Sequence, residues 1–155
     1  MWRTTCLLLC LLIGCTSPEV IPPTPKPISS PTPTVKGDAH VEFVRVVQSG
    51  AGAYTFHVTV RHDDTGWDDY ADGWDVVLPD GAVLKADGNA SPFTRLLLHP
   101  HENEQPFTRS QSGLQISAEI ETVTVRAHDL LHGFGGQEVV VDLTVAEGED
   151  FVVER

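Results

Sequence analysis

The stretch Tyr54-Thr-Phe-His-Val-Thr-Val-Arg61 alternates large apolar side chains with polar ones. Successive side chains of an extended strand point to opposite faces of a sheet, so Tyr54, Phe56, Val58 and Val60 share one face. The polar side chains between them lie on the other face. This period of two predicts a β-strand with one buried face.

Short segments of the same kind follow one another through the rest of the chain. The predicted strands cover residues 40–47, 54–61, 74–78, 82–84, 93–98, 114–116, 122–128 and 137–145. The sequence Pro79-Asp-Gly81 predicts a hairpin turn between two of them. We therefore predict an all-β fold, a two-sheet sandwich of 7–8 antiparallel strands like that of immunoglobulin or fibronectin type III domains. Trp74 is its predicted core tryptophan.

The N-terminus carries the pattern of an export signal. Arg3 precedes the apolar run 6–13, which is shorter than the ~20 residues that a membrane-spanning helix needs. The run closes at Leu12-Ile-Gly-Cys15, which resembles the bacterial lipobox, where the signal is cut before the cysteine and the thiol is acylated. We expect residues 1–14 to be a lipoprotein signal peptide and Cys15 to be the lipid attachment site, carrying palmitate-type chains. An ordinary secretory signal with an incidental cysteine is the alternative.

A proline-rich stretch separates this anchor from the predicted sandwich, which spans residues 37–155. Residues 15–36 hold the lipidated cysteine and seven prolines, a composition typical of a semi-rigid polyproline spacer. A proline-rich recognition ligand is the alternative. Thr16 replaces the aspartate that resembles an inner-membrane retention signal, so we expect the bacterial outer membrane, facing the periplasm. Cys6 and Cys10 lie in the signal, so the sandwich has no disulfide.

The charge balance excludes two classes of partner. The formal net charge of the chain is −12, with 10 Lys+Arg against 22 Asp+Glu. Binding to nucleic acid needs Lys and Arg to displace the counterions of phosphates, so we predict no nucleic-acid partner. Docking on anionic lipid through a basic face is excluded for the same reason. Contact with the membrane is therefore expected through the N-terminal lipid.

Three polar loops carry the chemistry of the sequence: residues 63–75, 99–109 and 128–136. In an immunoglobulin-like sandwich the loops at these positions cluster at one end. Convergence would bring several imidazoles and carboxylates together. His99 and His101 share a face in an extended chain, so both rings can reach one ion. A Zn or Cu site is hypothesised from these candidate ligands: His99, His101, Glu104, His128 and His132.

The acidic loop offers a second hypothesis, a calcium site formed by Asp63, Asp68 and Asp72. The alternative interpretation is that these carboxylates shape turns and keep the surface soluble, and that the histidines are solvated. The same loops also offer a candidate ligand surface. Its residues are Trp67, Tyr70 and Arg109.

Three blocks of sequence resemble a known family. They are Gly66-Trp-Asp-Asp-Tyr-Ala-Asp72, His99-Pro-His-Glu-Asn-Glu-Gln-Pro-Phe-Thr-Arg109, and Val123-Thr-Val-Arg-Ala-His-Asp129 with His132-Gly133. They are similar to blocks in a family of small exported bacterial proteins and lipoproteins that has no assigned activity. The resemblance implies one compact domain behind an export signal, and it implies no catalytic residues.

The function predicted from the sequence is binding without catalysis. No G-x-S-x-G elbow or plausible triad order is visible, and adjacent His128 and Asp129 on a strand point to opposite faces. We therefore predict that the protein is not an enzyme. The prediction is an envelope-anchored lipoprotein that binds an envelope protein or small ligand through the polar loops at one end of the sandwich. The alternatives are a periplasmic metal-binding protein, with Zn, Cu or Ca, and a passive structural module of the envelope.

Overall fold

The computed structural model describes residues 37–155 with the exception of 87 and 89. The predictions for the signal peptide, Cys15 and the proline-rich tether concern residues 1–36 and lie outside the described residues. Within the described part of the chain, no helix is long and apolar enough to cross a membrane.

The described chain forms eight β-strands in two sheets of four. The strands are β1 (His40–Gly50), β2 (Ala53–Arg61), β3 (Ala71–Val77), β4 (Arg95–Leu96), β5 (Phe107–Gln115), β6 (Thr122–Asp129), β7 (Val139–Asp142) and β8 (Phe151–Glu154). One sheet has the order β5-β2-β1-β8 and the other β4-β3-β6-β7. The predicted all-β, two-sheet fold is confirmed.

Apolar side chains of the strands form one buried core. Phe56, Val58 and Val60 of β2 are fully buried, which is the face that the period of two predicts. Val125 of β6 and Trp74 of β3 are fully buried in the same core. A chain that begins at residue 16 contains every strand and core residue that the structure describes.

Strand boundaries differ from the prediction in the middle of the chain. Residues 82–84 contribute only an isolated bridge between Val77 and Val83, and β4 has two residues where six were predicted. Residues 114–116 belong largely to the nine-residue strand β5, most of which was predicted to be loop. A bulge opposite Tyr54 and Phe56 interrupts the pairing of β2 and β5, so β5 has no regular alternation to read.

The C-terminal strand β8 is a second difference. It pairs in parallel with β1, from Val44 opposite Phe151 to Val47 opposite Glu154, whereas only antiparallel pairs were predicted. The neighbours β1-β2-β5 and β3-β6-β7 are ordered like strands A-B-E and C-F-G of an immunoglobulin domain. The parallel strand β8 departs from the predicted pattern, and the immunoglobulin or fibronectin assignment stays a prediction.

Candidate functional site at the three-loop end

Three loops meet at one end of the sandwich, and we call this region the three-loop end. It comprises residues 62–70 between β2 and β3, 97–106 between β4 and β5, and 130–138 between β6 and β7. The amide of His101 donates to Asp64 Oδ2 at 2.5 Å, which joins the first two loops. The amide of Leu130 donates to the carbonyl of Tyr70 at 3.1 Å, which joins the first and third.

Asp64 is the carboxylate that ties this end together. Its side chain is fully buried; Oδ1 accepts from the Ala71 amide at 3.1 Å and lies 2.6 Å from His62 Nδ1. Burial alone would raise the pKa of Asp64, but the hydrogen bonds from His62, His101 and Ala71 outweigh it and hold the pKa below its ordinary value. Asp64 is therefore an ionised, fully hydrogen-bonded anchor for two loops.

The hydrogen bond between Asp64 and Nδ1 fixes the orientation of the His62 ring and therefore the position of its other nitrogen, Nε2. His62 Nε2 faces the Gly37 carbonyl at 3.1 Å and lies 3.8 Å from both Asp69 Oδ1 and Asp129 Oδ2. Burial of the ring lowers the pKa of His62, but the hydrogen bonds to Asp64 and Gly37 and the charge of Asp129 raise it above its ordinary value. We call His62, Asp69 and Asp129 the His62 cluster.

The two carboxylates of the His62 cluster are held by their own loops. Asp129 has no exposed surface; it accepts from the Leu131 amide at 2.8 Å and the His132 amide at 3.2 Å. Thr65 Oγ1 donates to Asp69 Oδ2 at 3.0 Å. Asp69 Oδ1, the atom that faces His62, is buried and finds no hydrogen-bond partner among the described residues.

Positive side chains are missing from this region. Within the described ranges, Asp64, Asp69 and Asp129 form ion pairs with histidines alone and with no Lys or Arg. An uncompensated buried carboxylate is costly, so the positive charge here must come from a protonated imidazole or from a bound cation.

The predicted metal ligands are distributed over separate pairs. The rings of His99 and His101 are 4.5 Å apart, but the His101 ring is buried and stacks on Phe107 at 3.8 Å. Its two nitrogens have no hydrogen-bond partner within the described chain. Burial, together with the charges of Arg109 and His99, lowers the pKa of His101.

The other three candidates each bind a different carboxylate or guanidinium. Glu104 pairs with Arg109 at 2.9 Å, and His128 Nδ1 lies 2.5 Å from Asp72 Oδ1. His132 Nδ1 makes a short hydrogen bond with Asp129. One group of three or more potential ligands with all ligand atoms within 4.8 Å of one another occurs in the described residues, and it is the His62 cluster. The five predicted ligands form no such group.

The predicted calcium ligands are likewise apart from this cluster. Asp63 and Asp68 are exposed, while Asp72 pairs with His128. The candidate ligand surface is better placed, because Trp67 is 67% exposed and its ring lies 6.1 Å from that of Tyr70.

Sequence reasoning missed His62, Asp69 and Asp129, although a signal for two of them was present. The buried positions of β2 are 56, 58 and 60, and the next step of two reaches His62. In β6 the buried positions are 123, 125 and 127, and the next step reaches Asp129. A polar residue that follows the buried positions of a strand in the same alternation faces the core. Its side chain then needs hydrogen-bond partners inside the protein, and this requirement marks a candidate site. Asp69 carries no comparable pattern.

The three-loop end also concentrates exposed apolar surface. Eight large apolar side chains are exposed among the residues that the structure describes. Five of them belong to the three loops: Trp67, Leu98, Leu130, Leu131 and Phe134. Exposed apolar side chains that gather in one region mark interaction surfaces more often than scattered single residues do.

The chain is similar to one curated protein of Halomicrobium mukohataei named "Putative lipoprotein". The two are 41% identical over 105 residues, which is 68% of this chain and 47% of the relative. The chain therefore spans about half the length of the curated relative it matches. No protein-family model matches the chain, and no solved structure matches it.

Proposed function

We propose that this protein is a lipid-anchored lipoprotein of the cell envelope whose three-loop end binds an envelope protein without catalysis. The observation that carries the proposal is the position of five of the eight large apolar side chains exposed in the described part of the chain, all on three loops that contact one another. Protein interfaces combine such an apolar centre with a polar rim. The Asp and His side chains of the same loops supply that rim.

The anchor has two supports. The sequence Leu12-Ile-Gly-Cys15 resembles a lipobox, and the relative of Halomicrobium mukohataei carries the name lipoprotein. Placement in the outer membrane, facing the periplasm, is part of the proposal and rests on Thr16 following the cysteine. A membrane partner is thus supplied by the lipid, and the loops remain free for a protein.

The clefts beside the loops favour a protein over a small molecule. Two of them, which share Arg95 and Leu98, have volumes of about 250 Å³ and about 100 Å³. Small-molecule sites usually enclose ~300–1,000 Å³. The exposed side chains Trp67 and Leu131 suit a partner that brings its own concavity.

The proposal is tested by photo-crosslinking in the cell that makes the protein. A photoreactive amino acid replaces Trp67 in the lipidated chain. The matched control carries the same group at Val140, which is 61% exposed on β7, outside the three loops. We expect a discrete adduct of defined mass from position 67 and none from position 140.

A second set of variants identifies the surface. Leu131→Ala should weaken the adduct from position 67 at least ~10-fold, since central apolar side chains dominate interface energies. Val140→Ala should leave that adduct unchanged. Equal adducts from positions 67 and 140, or none from either, would contradict the proposal and favour a passive envelope module.

A further inference from the structure

We propose that the His62 cluster is a binding site for a divalent transition metal ion, with Zn²⁺ the best match. His62 Nε2, Asp69 Oδ1 and Asp129 Oδ2 are its ligand atoms. The inference does not rest on the proposed partner-binding surface. It concerns buried atoms beneath the three loops rather than their exposed side chains.

The spacing of the three atoms fits a single ion. Each oxygen lies 3.8 Å from His62 Nε2, and no two of the three atoms are more than 4.8 Å apart. Zn–N and Zn–O distances of about 2.1 Å at tetrahedral angles place ligand atoms ~3.4 Å apart. The ligand atoms would have to move closer together by about 0.4 Å from the present 3.8 Å between nitrogen and each oxygen to reach that value.

The surroundings of His62 prepare it as a ligand. Asp64 pairs with Nδ1 at 2.6 Å and so holds a proton there, while the Nε2 proton that now faces the Gly37 carbonyl would be released when Nε2 binds the metal ion. Metal-ligating histidines usually have this carboxylate or carbonyl partner on the far nitrogen, which fixes the ring and its tautomer. Since the His62 side chain is 1% exposed, the ring has no freedom to turn away.

Among the described residues, Asp69 has a free ligand atom, and Gly37 offers a further oxygen near the site. Asp69 Oδ2 is engaged by Thr65, whereas the buried Oδ1 that faces His62 has no hydrogen-bond partner within the described residues. The Gly37 carbonyl lies 3.1 Å from His62 Nε2 and is the nearest further oxygen donor. A fourth ligand can therefore come from this carbonyl or from water.

Charge and ligand type define the ion. Asp69 and Asp129 have no Lys or Arg partner in the described chain, and Asp129 is paired with the imidazole of His132, so a divalent cation would supply the positive charge that the arginines and lysines do not. Calcium and magnesium prefer all-oxygen shells, so a buried imidazole argues against both. One nitrogen and two carboxylates suit Zn²⁺, with Mn²⁺ as the next candidate.

The direct test is calorimetric titration of a soluble chain of residues 16–155 with Zn²⁺, Mn²⁺ and Ca²⁺. This chain lacks all three cysteines and thus has no thiolate that could bind metal. We expect one Zn²⁺ per chain with micromolar or tighter Kd, weaker Mn²⁺ and no Ca²⁺. Zn²⁺ at 100 times its Kd should raise Tm by about 10 °C.

Two neighbouring aspartates provide a matched pair of variants. Asp69→Asn removes a proposed ligand and keeps the shape of the side chain, and we expect Kd to rise at least ~100-fold. Asp68→Asn changes the adjacent, exposed carboxylate of the same loop, and we expect no change in Kd. Near-UV circular dichroism of both variants without metal reports whether each retains the native core.

Nitrogen NMR of the imidazoles identifies the ligand histidine. We expect the Nε2 resonance of His62 to shift on addition of Zn²⁺, while the resonances of His99 and His101 stay in place. Zn²⁺ binding that survives Asp69→Asn, or that shifts His99 and His101 instead of His62, would overturn the proposal. Absence of binding below millimolar Zn²⁺ would overturn it as well and leave a protonated His62 as the counter-charge.

The two proposals fail independently. Leu131→Ala should weaken partner crosslinking from position 67 without changing Zn²⁺ affinity, because Leu131 is an exposed side chain outside the His62 cluster. Asp69→Asn should weaken Zn²⁺ binding at least ~100-fold whether or not a partner exists. A chain that crosslinks at position 67 and ignores Zn²⁺ would contradict only the metal site.

Discussion

Asp64 shows how one buried side chain organises a whole end of this molecule. Its carboxylate accepts from the Ala71 and His101 amides and orients the ring of His62. Replacement by Asn removes the charge and cannot reproduce all three contacts. We expect Asp64→Asn to lower the free energy of unfolding at pH 7 by about 2 kcal/mol, as for hydrogen bonds to charged groups.

The same substitution should change the response to acid. The pKa of Asp64 in the folded state lies below its unfolded value of ~3.9, so its contribution is present above that pH and is lost as pH falls through the folded pKa. The pKa of His62 is raised by folding, so its contribution to stability is lost as pH rises rather than as it falls. Below about pH 5 the ring is protonated in both the folded and the unfolded state, so His62 does not make the free energy of unfolding depend on pH there.

Urea unfolding between pH 5 and pH 2, with EDTA present, measures this. The free energy of unfolding should fall less steeply with acid in Asp64→Asn than in the wild type. Parallel slopes would show that Asp64 is not a source of the acid sensitivity.

Gly136 is the position where a single methyl group should do most harm. A Cβ built there would lie 1.9 Å from the Ala39 carbonyl oxygen, and backbone cannot withdraw as a flexible side chain can. We expect Gly136→Ala to cost about 3 kcal/mol of stability. Gly50→Ala is the control, since nothing lies within 4 Å of its Cβ, and thermal unfolding should be nearly unchanged.

Individual site residues were only partly predictable from sequence. His62 and Asp129 continue the buried phase of β2 and β6, so extending the alternation by one step would have identified them. Asp69 was not accessible in this way, because the turn that contains Thr65 and Gly66 decides where its carboxylate points. The adjacent aspartates 68 and 69 are equivalent by composition and differ only in the folded loop.

At the scale of the element, β8 is the strand that completes a sheet. It adds the fourth strand beside β1 and buries Phe151 and Val153 against the core. We expect Val153→Ala to cost about 2 kcal/mol, in the range for removing buried methyl groups. Val152→Ala, the neighbour on the less buried face, should cost less than about 0.5 kcal/mol.

Denaturant unfolding of these two variants side by side measures the difference. Deletion of 151–155 extends the test, because an uncovered β1 edge should promote self-association in size-exclusion chromatography. Equal free energies of unfolding for the two variants would mean that β8 does not stabilise the sheet by burying Val153 against the core.

Elements were predictable where one face is apolar and the other polar. β2 and β6 have this pattern in full, and both lie where it placed them. In β5 only Phe107 and Leu114 are buried, and the bulge between them breaks the alternation, so its polar residues read as loop. β8 has four residues, and its pairing with β1 depends on contacts between distant parts of the chain.

At the scale of the whole molecule, stability should depend on monovalent salt. The chain carries 22 Asp+Glu against 10 Lys+Arg, so carboxylates repel one another across the surface. Salt at 1 M shortens the screening length to ~3 Å. We expect Tm to rise by about 5 °C between 0.02 M and 1 M NaCl.

EDTA in both buffers keeps this effect separate from divalent ions. Scanning calorimetry of residues 16–155 at several NaCl concentrations is the measurement. A flat or falling Tm would show that the exposed carboxylates are already spaced or paired well enough to avoid mutual repulsion.

The arrangement of the chain ends has a mechanical consequence. Gly37 lies at the three-loop end, where its carbonyl contacts His62. Glu154 pairs with Val47, which is about 23 Å along β1 from the first residue of that strand, His40. Tension between an anchor before Gly37 and a partner on the loops would therefore act within the three-loop end. It would not pull on the strands of either sheet. Tension applied through Arg155 would instead load the parallel pairing of β8 with β1.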